Sequence, residues 1–128
     1  MIYDRRSKGA LKLEGYVLSK LHFYADGRLA VGQVSQAMLD EYGCTIDETD
    51  GIIQRIMSID GVEGGCLLKE KGDTTRISLR GRSYINMANV AAKFGGGGHV
   101  LASGCTINAD LDTAEKTILP VLISELKH

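Results

Sequence analysis

Hydrophobic residues recur at helical spacing near both ends of the chain. Between residues 1 and 20, apolar side chains stand three or four positions apart among charged ones, which predicts an amphipathic helix. Two glycines inside this segment weaken the helix and predict that it is broken or begins late. A second such pattern starts at Asp110 or Asp112, where Pro120 predicts a kink or a division into two helices.

Strand-like runs on either side of tight turns predict two hairpins. In the first, Leu21–Tyr24 and Arg28–Val34 flank an Asp-Gly turn. In the second, Gly61–Glu70 and Thr74–Arg80 flank a Gly-Asp turn. A further strand is predicted over Leu101–Ile107.

The last strand of the second hairpin alternates polar and apolar side chains. Its polar positions include Arg76, Ser78 and Arg80, with Ile77 and Leu79 between them. Because successive side chains of a strand point to opposite faces, the two arginines and the serine are expected on one face.

Capping residues predict shorter helices between these strands. Ser35 begins one that ends near Gly43, and Thr45 and Glu48 have capping-box spacing ahead of the next. Asn86 can cap a third. Taken together, the elements predict a single α/β domain, with helices packed on one mixed sheet.

The charge of the chain is nearly balanced but uneven. The 128 residues carry a net charge of −1, which is not typical of a protein that coats a polyanion. Between Lys69 and Lys93, however, six basic residues stand against Glu70 and Asp73. This concentration favours a local anionic ligand.

The cysteines and the lack of long apolar runs bear on location. The cysteines are odd in number, without motif spacing and without a signal-peptide pattern ahead of them, so we expect free thiols in the cytoplasm. They are Cys44, Cys66 and Cys105. No apolar run approaches the ~18 residues of a membrane span, so no membrane partner is expected.

Four consecutive glycines followed by His99 form the most unusual segment of the chain. Without Cβ atoms, successive amides can turn inward as an anion-binding nest, and the histidine adds a donor. A flexible helix-to-strand connection is the other interpretation, because neither the Walker pattern nor the dinucleotide fingerprint fits the run.

No catalytic centre or metal site is predicted. The three histidines lack ligand spacing, and no nucleophile, histidine and carboxylate can be grouped with any specificity. Asp110 and Asp112 are explained by a helix start, where acidic side chains complement the helix dipole.

Several of these segments together resemble a known family. Ile77–Arg80, Asn86–Phe94, the glycine run with His99, and Ala102–Cys105 resemble the C-terminal DHHA1 domain of DHH-family phosphoesterases. The nearest subgroup degrades very short oligoribonucleotides and 3′,5′-adenosine bisphosphate. The resemblance is strongest over residues 62–107.

The resemblance implies one lobe of a two-lobed enzyme. In that family an N-terminal DHH lobe holds two divalent metals, usually manganese, and hydrolyses the substrate, while the DHHA1 lobe grips the nucleotide. Residues 1–20 would then be a connecting helix from a missing DHH lobe, and residues 21–128 the DHHA1 substrate-binding domain. This chain alone would hold no cofactor and be inactive.

The resemblance also implies which residues bind the substrate. Arg80 would pair with a phosphate, with Ser78 in support and Asn86 nearby. The remaining contacts to the phosphate or the adjoining nucleotide would come from Gly95, Gly96, Gly97, Gly98 and His99. One departure is Ala102-Ser103-Gly104, where the family often has Ala-Ala-Gly.

Other functions stay open. A related domain ends many alanyl-tRNA synthetases, so an RNA-binding or oligomerisation module is the alternative, and a regulatory nucleotide sensor is a third. The partners implied are a short RNA or small nucleotide and the missing DHH lobe. A homodimer is also open.

Overall fold

One mixed sheet of six strands organises the computed structural model, which describes residues 7–127. The strands are β1 (His22–Tyr24), β2 (Leu29–Val34), β3 (Gly64–Lys71), β4 (Thr74–Gly81), β5 (Gly97–His99) and β6 (Ala102–Ile107). They lie in the order β1-β2-β3-β4-β6-β5, and only β2 and β3 are parallel neighbours.

Five α-helices and one 3₁₀ helix complete the described residues. The α-helices are α1 (Lys8–Ser19), α2 (Gln36–Tyr42), α3 (Ile52–Met57), α4 (Met87–Ala92) and α5 (Leu111–Ser124), and the 3₁₀ helix is Ile46–Thr49. The predicted α/β class, a mixed sheet with helices packed on it, is confirmed.

Both predicted hairpins are confirmed, β1 with β2 and β3 with β4. In the first turn Ala25 and Asp26 lie in the left-handed region, at φ 54° and 57°, and Gly27 follows at 84°. Gly72 turns the second hairpin at φ 59°.

The predicted caps of three helices are also confirmed. The side chain of Ser35 accepts from the Met38 amide at 3.1 Å and opens α2, which ends at Gly43 in the left-handed region. Asn86 caps α4 and Asp110 caps α5 in the same way, at 2.9 and 2.8 Å. Each cap satisfies an amide that the helix itself leaves unpaired.

The first two helical segments differ in detail from the prediction. Helix α1 begins late, as allowed for, but runs unbroken from Lys8, with the Ser7 hydroxyl accepting from the Ala10 amide at 3.0 Å. Residues 1–6 of the predicted segment lie outside the described residues. The capping box at Thr45 opens the 3₁₀ helix, and α3 begins only after Gly51.

The predicted division of the C-terminal helix at Pro120 is wrong. Helix α5 is one helix with Pro120 inside it. Proline removes a single backbone donor, and here it lies on the exposed side of the helix. Ile118 and Leu122, on either side of it, are buried against the sheet and hold both turns in place.

The glycine run is not all loop, which corrects its interpretation as a flexible helix-to-strand connection. Gly97–His99 form strand β5, which pairs antiparallel with β6 and makes the edge of the sheet. Because a strand edge leaves its amides and carbonyls unpaired, adding β5 satisfies part of the exposed side of β6.

Helices cover the two faces of the sheet unequally. On one face α4 and α5 pack along the sheet, and their buried residues include Val90, Ala91 and Ile118. On the other face α1, α2 and α3 pack over β2 and β3, where Leu13 and Val17 of α1 are buried. The α1 helix thus shares this core, while a domain boundary at residue 20 stays a prediction.

The side of the sheet that faces α1–α3 is therefore open over β6 and β5 and over the part of β4 that α3 does not contact. The residues that these strands present there belong to neither hydrophobic cluster. They are Arg76, Ser78, Arg80, Ala102, Gly104, Thr106, Gly97 and His99, all exposed or half-buried. We call this surface the open face.

On the face that α4 and α5 cover, a buried carboxylate joins α5 to the first hairpin. Glu115 is 5% exposed; it accepts hydrogen bonds from the Tyr24 hydroxyl and, at 2.8 Å, from Gln33 Nε2. His22 Nδ1 lies 2.8 Å from the same carboxylate. Burial, and next the hydrogen bond and charge of Glu115, raise the pKa of Tyr24 to about 12.

We expect this phenol to make the domain less stable at high pH. Tyr24 ionises near its ordinary pKa of about 10 in the unfolded chain and near 12 in the fold, so its contribution is full below pH 10 and is lost as the pH rises through 12. Denaturant unfolding at pH 8 and at pH 11 would measure the loss.

Tyr24→Phe should lose less free energy of unfolding between these two pH values than the parent does. At pH 8 it should be less stable by about 1–3 kcal/mol, because the carboxylate loses a donor. Tyr16→Phe is the matched control, since Tyr16 is 41% exposed. An equal pH dependence in Tyr24→Phe and the parent would contradict this account.

Candidate functional site

The open face brings Arg80 and His99 into one row across three strands. Both pair in register with Ala102 of β6, Arg80 from β4 and His99 from β5. Paired residues project their side chains from the same face, so the guanidinium and the imidazole flank Ala102. With strands ~4.8 Å apart, the two Cα atoms lie about 10 Å from each other.

Smaller side chains lie in the neighbouring row of the open face. Ser78 pairs with Gly104, and Gly104 pairs with Gly97. One row further along β4, Arg76 pairs with Thr106. The row of Ser78, Gly104 and Gly97 therefore forms a shallow surface of small side chains. Arg80 and His99 lie on one side of this row, and Arg76 lies on the other.

The backbone of the glycine run is partly committed to the fold. The Gly95 amide donates to the carbonyl of Ala92 at 3.2 Å, and the Gly96 amide donates to the carbonyl of Ala91 at 2.9 Å. These two N–H groups close the last turn of α4 and are not free for a ligand. An anion nest in this segment could therefore use only the amides that follow Gly96.

Close packing explains why two of the four positions need glycine. A Cβ atom on Gly96 would stand 2.1 Å from the carbonyl oxygen of Gly104, and one on Gly98 would stand 2.6 Å from that of Ala102. Gly95 has a φ of 78°, which favours glycine. At Gly97 a Cβ would meet nothing within 4 Å.

The serine of the Ala-Ser-Gly departure holds the edge strand. Ser103 is 7% exposed, and its hydroxyl donates to the carbonyl of His99 at 2.5 Å. An alanine there would leave this carbonyl without that donor. The substitution thus anchors the backbone of the histidine that flanks the open face.

The positive charge of the open face comes from Arg76 and Arg80, together with Lys69 of the neighbouring strand β3. Lys69 of β3 pairs in register with Arg76, so its side chain lies on the same face. Burial, and to a smaller extent the neighbouring charges of Arg76 and Arg80, lower the pKa of Lys69, while Asp50 and Asp47 oppose that shift. Within residues 7–127, neither Lys69 nor Arg76 has a side-chain ion pair.

A cavity of about 400 Å³ opens beside the glycine run. Its polar lining comes from Lys69, Arg76, Ser78 and Thr106. The other lining residues are Ile77, Phe94, Gly95, Gly96, Gly104 and Cys105. Ser78 and two of the glycines predicted to bind substrate thus lie in one cavity wall, while Arg80 and His99 lie further along the open face.

Three polar side chains near the open face, one of them the predicted site residue Asn86, make contacts that stabilise the fold. The Asn86 side chain accepts from the Asn89 amide as the cap of α4 and does not line the cavity. The Arg82 guanidinium donates to the carbonyls of Val62 and Met57. Tyr84 donates to Glu63, so its hydroxyl is occupied.

Sequence reasoning did not assign Lys69, Arg76, Phe94 or Thr106 to the site. The alternation along β4 already placed Arg76 on the face of Arg80, so the pattern held that signal. Lys69, Phe94 and Thr106 come from other elements and reach the cavity only through strand register and helix packing.

The described part of the chain has no group of three or more His, Cys, Asp or Glu side chains that could hold a metal ion. Over residues 7–127, no helix is long and apolar enough to cross a membrane. All three cysteines are free thiols, and burial raises the pKa of Cys105 to about 11. A cytoplasmic location stays a prediction.

Residues 26–127 match the DHHA1 domain family, which spans both the open face and the cavity. The chain belongs to this family. The match extends beyond residues 62–107, where the resemblance is strongest, and includes the first hairpin turn and α5.

Named relatives of this DHHA1 domain are longer proteins. It is 31% identical over 94% of its length to the bifunctional oligoribonuclease and PAP phosphatase NrnA of Thermus thermophilus, and it covers 36% of that protein. The chain thus spans about a third of the length of the curated relatives it matches.

Two solved structures place the fold among known ones. An exopolyphosphatase-related protein from Bacteroides fragilis superimposes with a TM-score of 0.88 at 29% identity, over 95% of this chain and 36% of that one. The C-Ala domain of Aquifex aeolicus alanyl-tRNA synthetase superimposes with a TM-score of 0.58 at 16% identity, over 80% of this chain and 97% of that one. The second likeness is one of fold alone.

We expect alanine at Gly96 to destabilise the domain and alanine at Gly97 to leave its stability nearly unchanged. Gly96→Ala should reduce the free energy of unfolding by at least about 2 kcal/mol, because its Cβ meets backbone atoms that cannot move aside. Gly97→Ala should change it by less than about 0.5 kcal/mol. Urea unfolding of both variants measures the difference, and equal losses would contradict the packing described for this loop.

Proposed function

We propose that this chain is the substrate-binding lobe of a metal-dependent phosphoesterase that hydrolyses short oligoribonucleotides or small adenine nucleotides. Arg80 binds a substrate phosphate, and the Gly95–His99 segment, through Gly97, Gly98 and His99, holds that phosphate or the adjoining nucleotide. Ser78 supports this contact. The name of the Thermus thermophilus relative, an oligoribonuclease and PAP phosphatase, supports the choice of substrate.

The observation that carries the proposal is the row formed by Arg80, Ala102 and His99. It places a guanidinium and an imidazole on either side of a small residue, on the open face. Arginine offers a planar fork of donors that matches phosphate oxygens. An anion that approaches this row also meets the positive field of Arg76 and Lys69.

The chain contributes orientation and charge neutralisation to the reaction. The described residues do not fit a metal site, so manganese would be held by a DHH lobe that is not part of this chain. Arg80 and His99 would fix the ligand against rotation, and positioning of this kind supplies much of the advantage in phosphoryl chemistry. A DHH lobe and a second copy of this chain are the protein partners that we propose.

An RNA-binding or oligomerisation module is the second candidate, favoured by the fold shared with the C-Ala domain. The distribution of charge favours the substrate-binding lobe over this second candidate. A structured RNA needs a broad basic surface, whereas the cations here are grouped on one side of β4 in a chain of net charge −1. A nucleotide sensor would use the same site without hydrolysis.

We expect Arg80→Ala to weaken binding of a 5′-phosphorylated adenine dinucleotide at least about tenfold. A hydrogen bond between charged groups contributes about 1.5–3 kcal/mol, and ~1.4 kcal/mol corresponds to tenfold in affinity. Calorimetric titration of the metal-free chain measures the change, and His99→Ala should also reduce affinity.

Lys116→Ala is the control, since Lys116 is exposed on α5, on the other side of the sheet. It removes one positive charge at a distance from the open face and should leave the affinity within about twofold. Equal affinity in Arg80→Ala and the parent would contradict the proposed phosphate contact. An unchanged melting temperature shows that the variants fold.

The salt dependence of binding separates the two candidates. With one or two phosphates neutralised, affinity for the dinucleotide should fall roughly 3–7-fold between about 50 and 200 mM salt. The same titrations with a structured RNA should show weaker binding. Tighter binding of that RNA, with a fall of roughly a thousandfold or more over this range, would favour the RNA-binding module.

A further inference from the structure

A glycine on β3 lets helix α3 pack beside Arg80. Gly65 is the register partner of Arg80 on β3. A Cβ atom on Gly65 would stand 2.8 Å from Met57 Sδ and 3.1 Å from Ile56 Cγ2, so α3 packs directly on this position. Because paired residues project from the same face of a sheet, the Arg80 side chain leaves the sheet beside Met57. The end of α3 thus forms one wall of the proposed phosphate contact.

The guanidinium of Arg80 has few contacts of its own to orient it. Within residues 7–127 it makes one hydrogen bond, from Nη1 to the carbonyl of Leu79 at 3.1 Å, and it has no ion pair. A planar fork binds a phosphate through two donors only when its plane faces the phosphate oxygens. The orientation of Arg80 must therefore come from the residues packed around it.

Two residues after Arg80, the side chain of Arg82 ties the end of β4 to the end of α3. Its Nε donates to the carbonyl of Val62 at 2.8 Å, and its Nη2 donates to that of Met57. Met57 is the last residue of α3, where helix carbonyls have no partner within the helix. The backbone amide of Arg82 also donates to the carbonyl of Glu63 at 2.9 Å. One residue therefore fixes the wall beside Arg80 relative to the strand that carries Arg80.

The turn that follows Arg82 is strained and is anchored on both sides. Ser83 lies at φ 33°, in a region that residues other than glycine rarely adopt. On its far side, the Tyr84 hydroxyl donates to the Glu63 carboxylate. A strained backbone of this kind persists only where its surroundings hold it. Loss of the Arg82 contacts would let the turn relax and would move the end of β4, where Arg80 stands.

We propose that Arg82 is a positioning residue for the phosphate contact: it holds the end of α3 against β4 and thereby fixes the plane of the Arg80 guanidinium. This inference rests on the proposed function and deepens it. The Arg82 side chain donates to two protein carbonyls, so it acts through Arg80 and not on the ligand. The two arginines of the Arg80-Gly81-Arg82 segment thus have different tasks, since the first binds the phosphate and the second orients the first.

The test measures by calorimetry how the 128-residue chain binds a 5′-phosphorylated adenine dinucleotide. We expect Arg82→Gln to weaken binding about fivefold, because the Arg80 guanidinium is no longer held in one orientation. Arg82→Lys keeps the positive charge but lacks the planar fork that reaches two carbonyls, so it should lose at least about threefold. A role in long-range attraction alone would leave Arg82→Lys with the affinity of the parent.

The decisive comparison is the effect of Arg82→Gln in an Arg80→Lys background. A lysine ammonium binds phosphate as a point charge and has no plane to orient. Arg82→Gln should then weaken binding by less than about twofold, so that the two substitutions are not additive. NMR titration extends the measurement to weak affinities. A residue that only stabilises the fold, or that binds the phosphate itself, would cause the same loss in both backgrounds.

Arg55→Gln is the matched control, because Arg55 belongs to the same helix but contacts a different element. Its Nε donates to Glu14 of α1 at 3.1 Å. The variant removes one positive charge and one contact of α3 but keeps the contact between α3 and β4, so its affinity should stay within about twofold of the parent. Melting temperatures show that each variant is folded during the titration. Should Arg82→Gln not fold, Arg82→Lys takes its place in both backgrounds.

Three results would overturn the positioning role. They are parent-like affinity in Arg82→Gln or Arg82→Lys, an equal loss in Arg55→Gln, and an undiminished effect of Arg82→Gln in the Arg80→Lys background. The proposed function stands in each of these cases if Arg80→Ala still weakens binding. Unchanged affinity in Arg80→Ala, or a parent that does not bind the dinucleotide, would instead refute the phosphate contact and the positioning role with it.

Discussion

The position of β4 between β3 and β6 is the constraint on which the rest of the structure depends. Its hydrogen bonds to both neighbours fix a register in which Ile77 and Leu79 enter the core on one face. The strand period then obliges Arg76, Ser78 and Arg80 to project on the other. A slip of one residue would bury the arginines and expose the core, so the register that stabilises the fold also assembles the site.

Unequal coverage of the sheet turns this alternation into a binding surface. The helices α4 and α5 pack behind β4 and β6, whereas α1, α2 and α3 cover the other side mainly over β2 and β3, with α3 also in contact with β4. Had a further helix covered β4 and β6 there, the arginines would have needed buried partners, which is energetically unfavourable. The open face instead keeps its cations partly hydrated and accessible to a ligand, on a rigid support.

The glycine run connects helix α4 to the edge strand of the open face. The amides of Gly95 and Gly96 close the last turn of α4. The backbone then packs closely against β6 and continues as the edge strand that carries His99. Three of its glycines are explained by backbone geometry or close packing. The Ser103 hydroxyl, bound to the carbonyl of His99, holds the edge strand from the buried side. Fold stability and the placement of the histidine thus rely on the same short segment.

Local signals in the sequence were sufficient for the hairpins, the three caps, the alternation along β4 and the family, because each depends on residues within a few positions of one another. The same signals failed at Pro120 and at Gly97–His99, where packing against the sheet and pairing with β6 outweigh the local preference of proline and glycine. Among the residues that line the cavity, Ser78, Gly95 and Gly96 were named from the sequence as substrate contacts, which stays a prediction, whereas Lys69 and Phe94 were not named. Those two reach the cavity from a different strand and a different helix. By itself, the sequence determined most of the strands and helices and which residues carry charge. Only the tertiary structure decided which charges share a cavity, because strand order and register join residues that are distant along the chain.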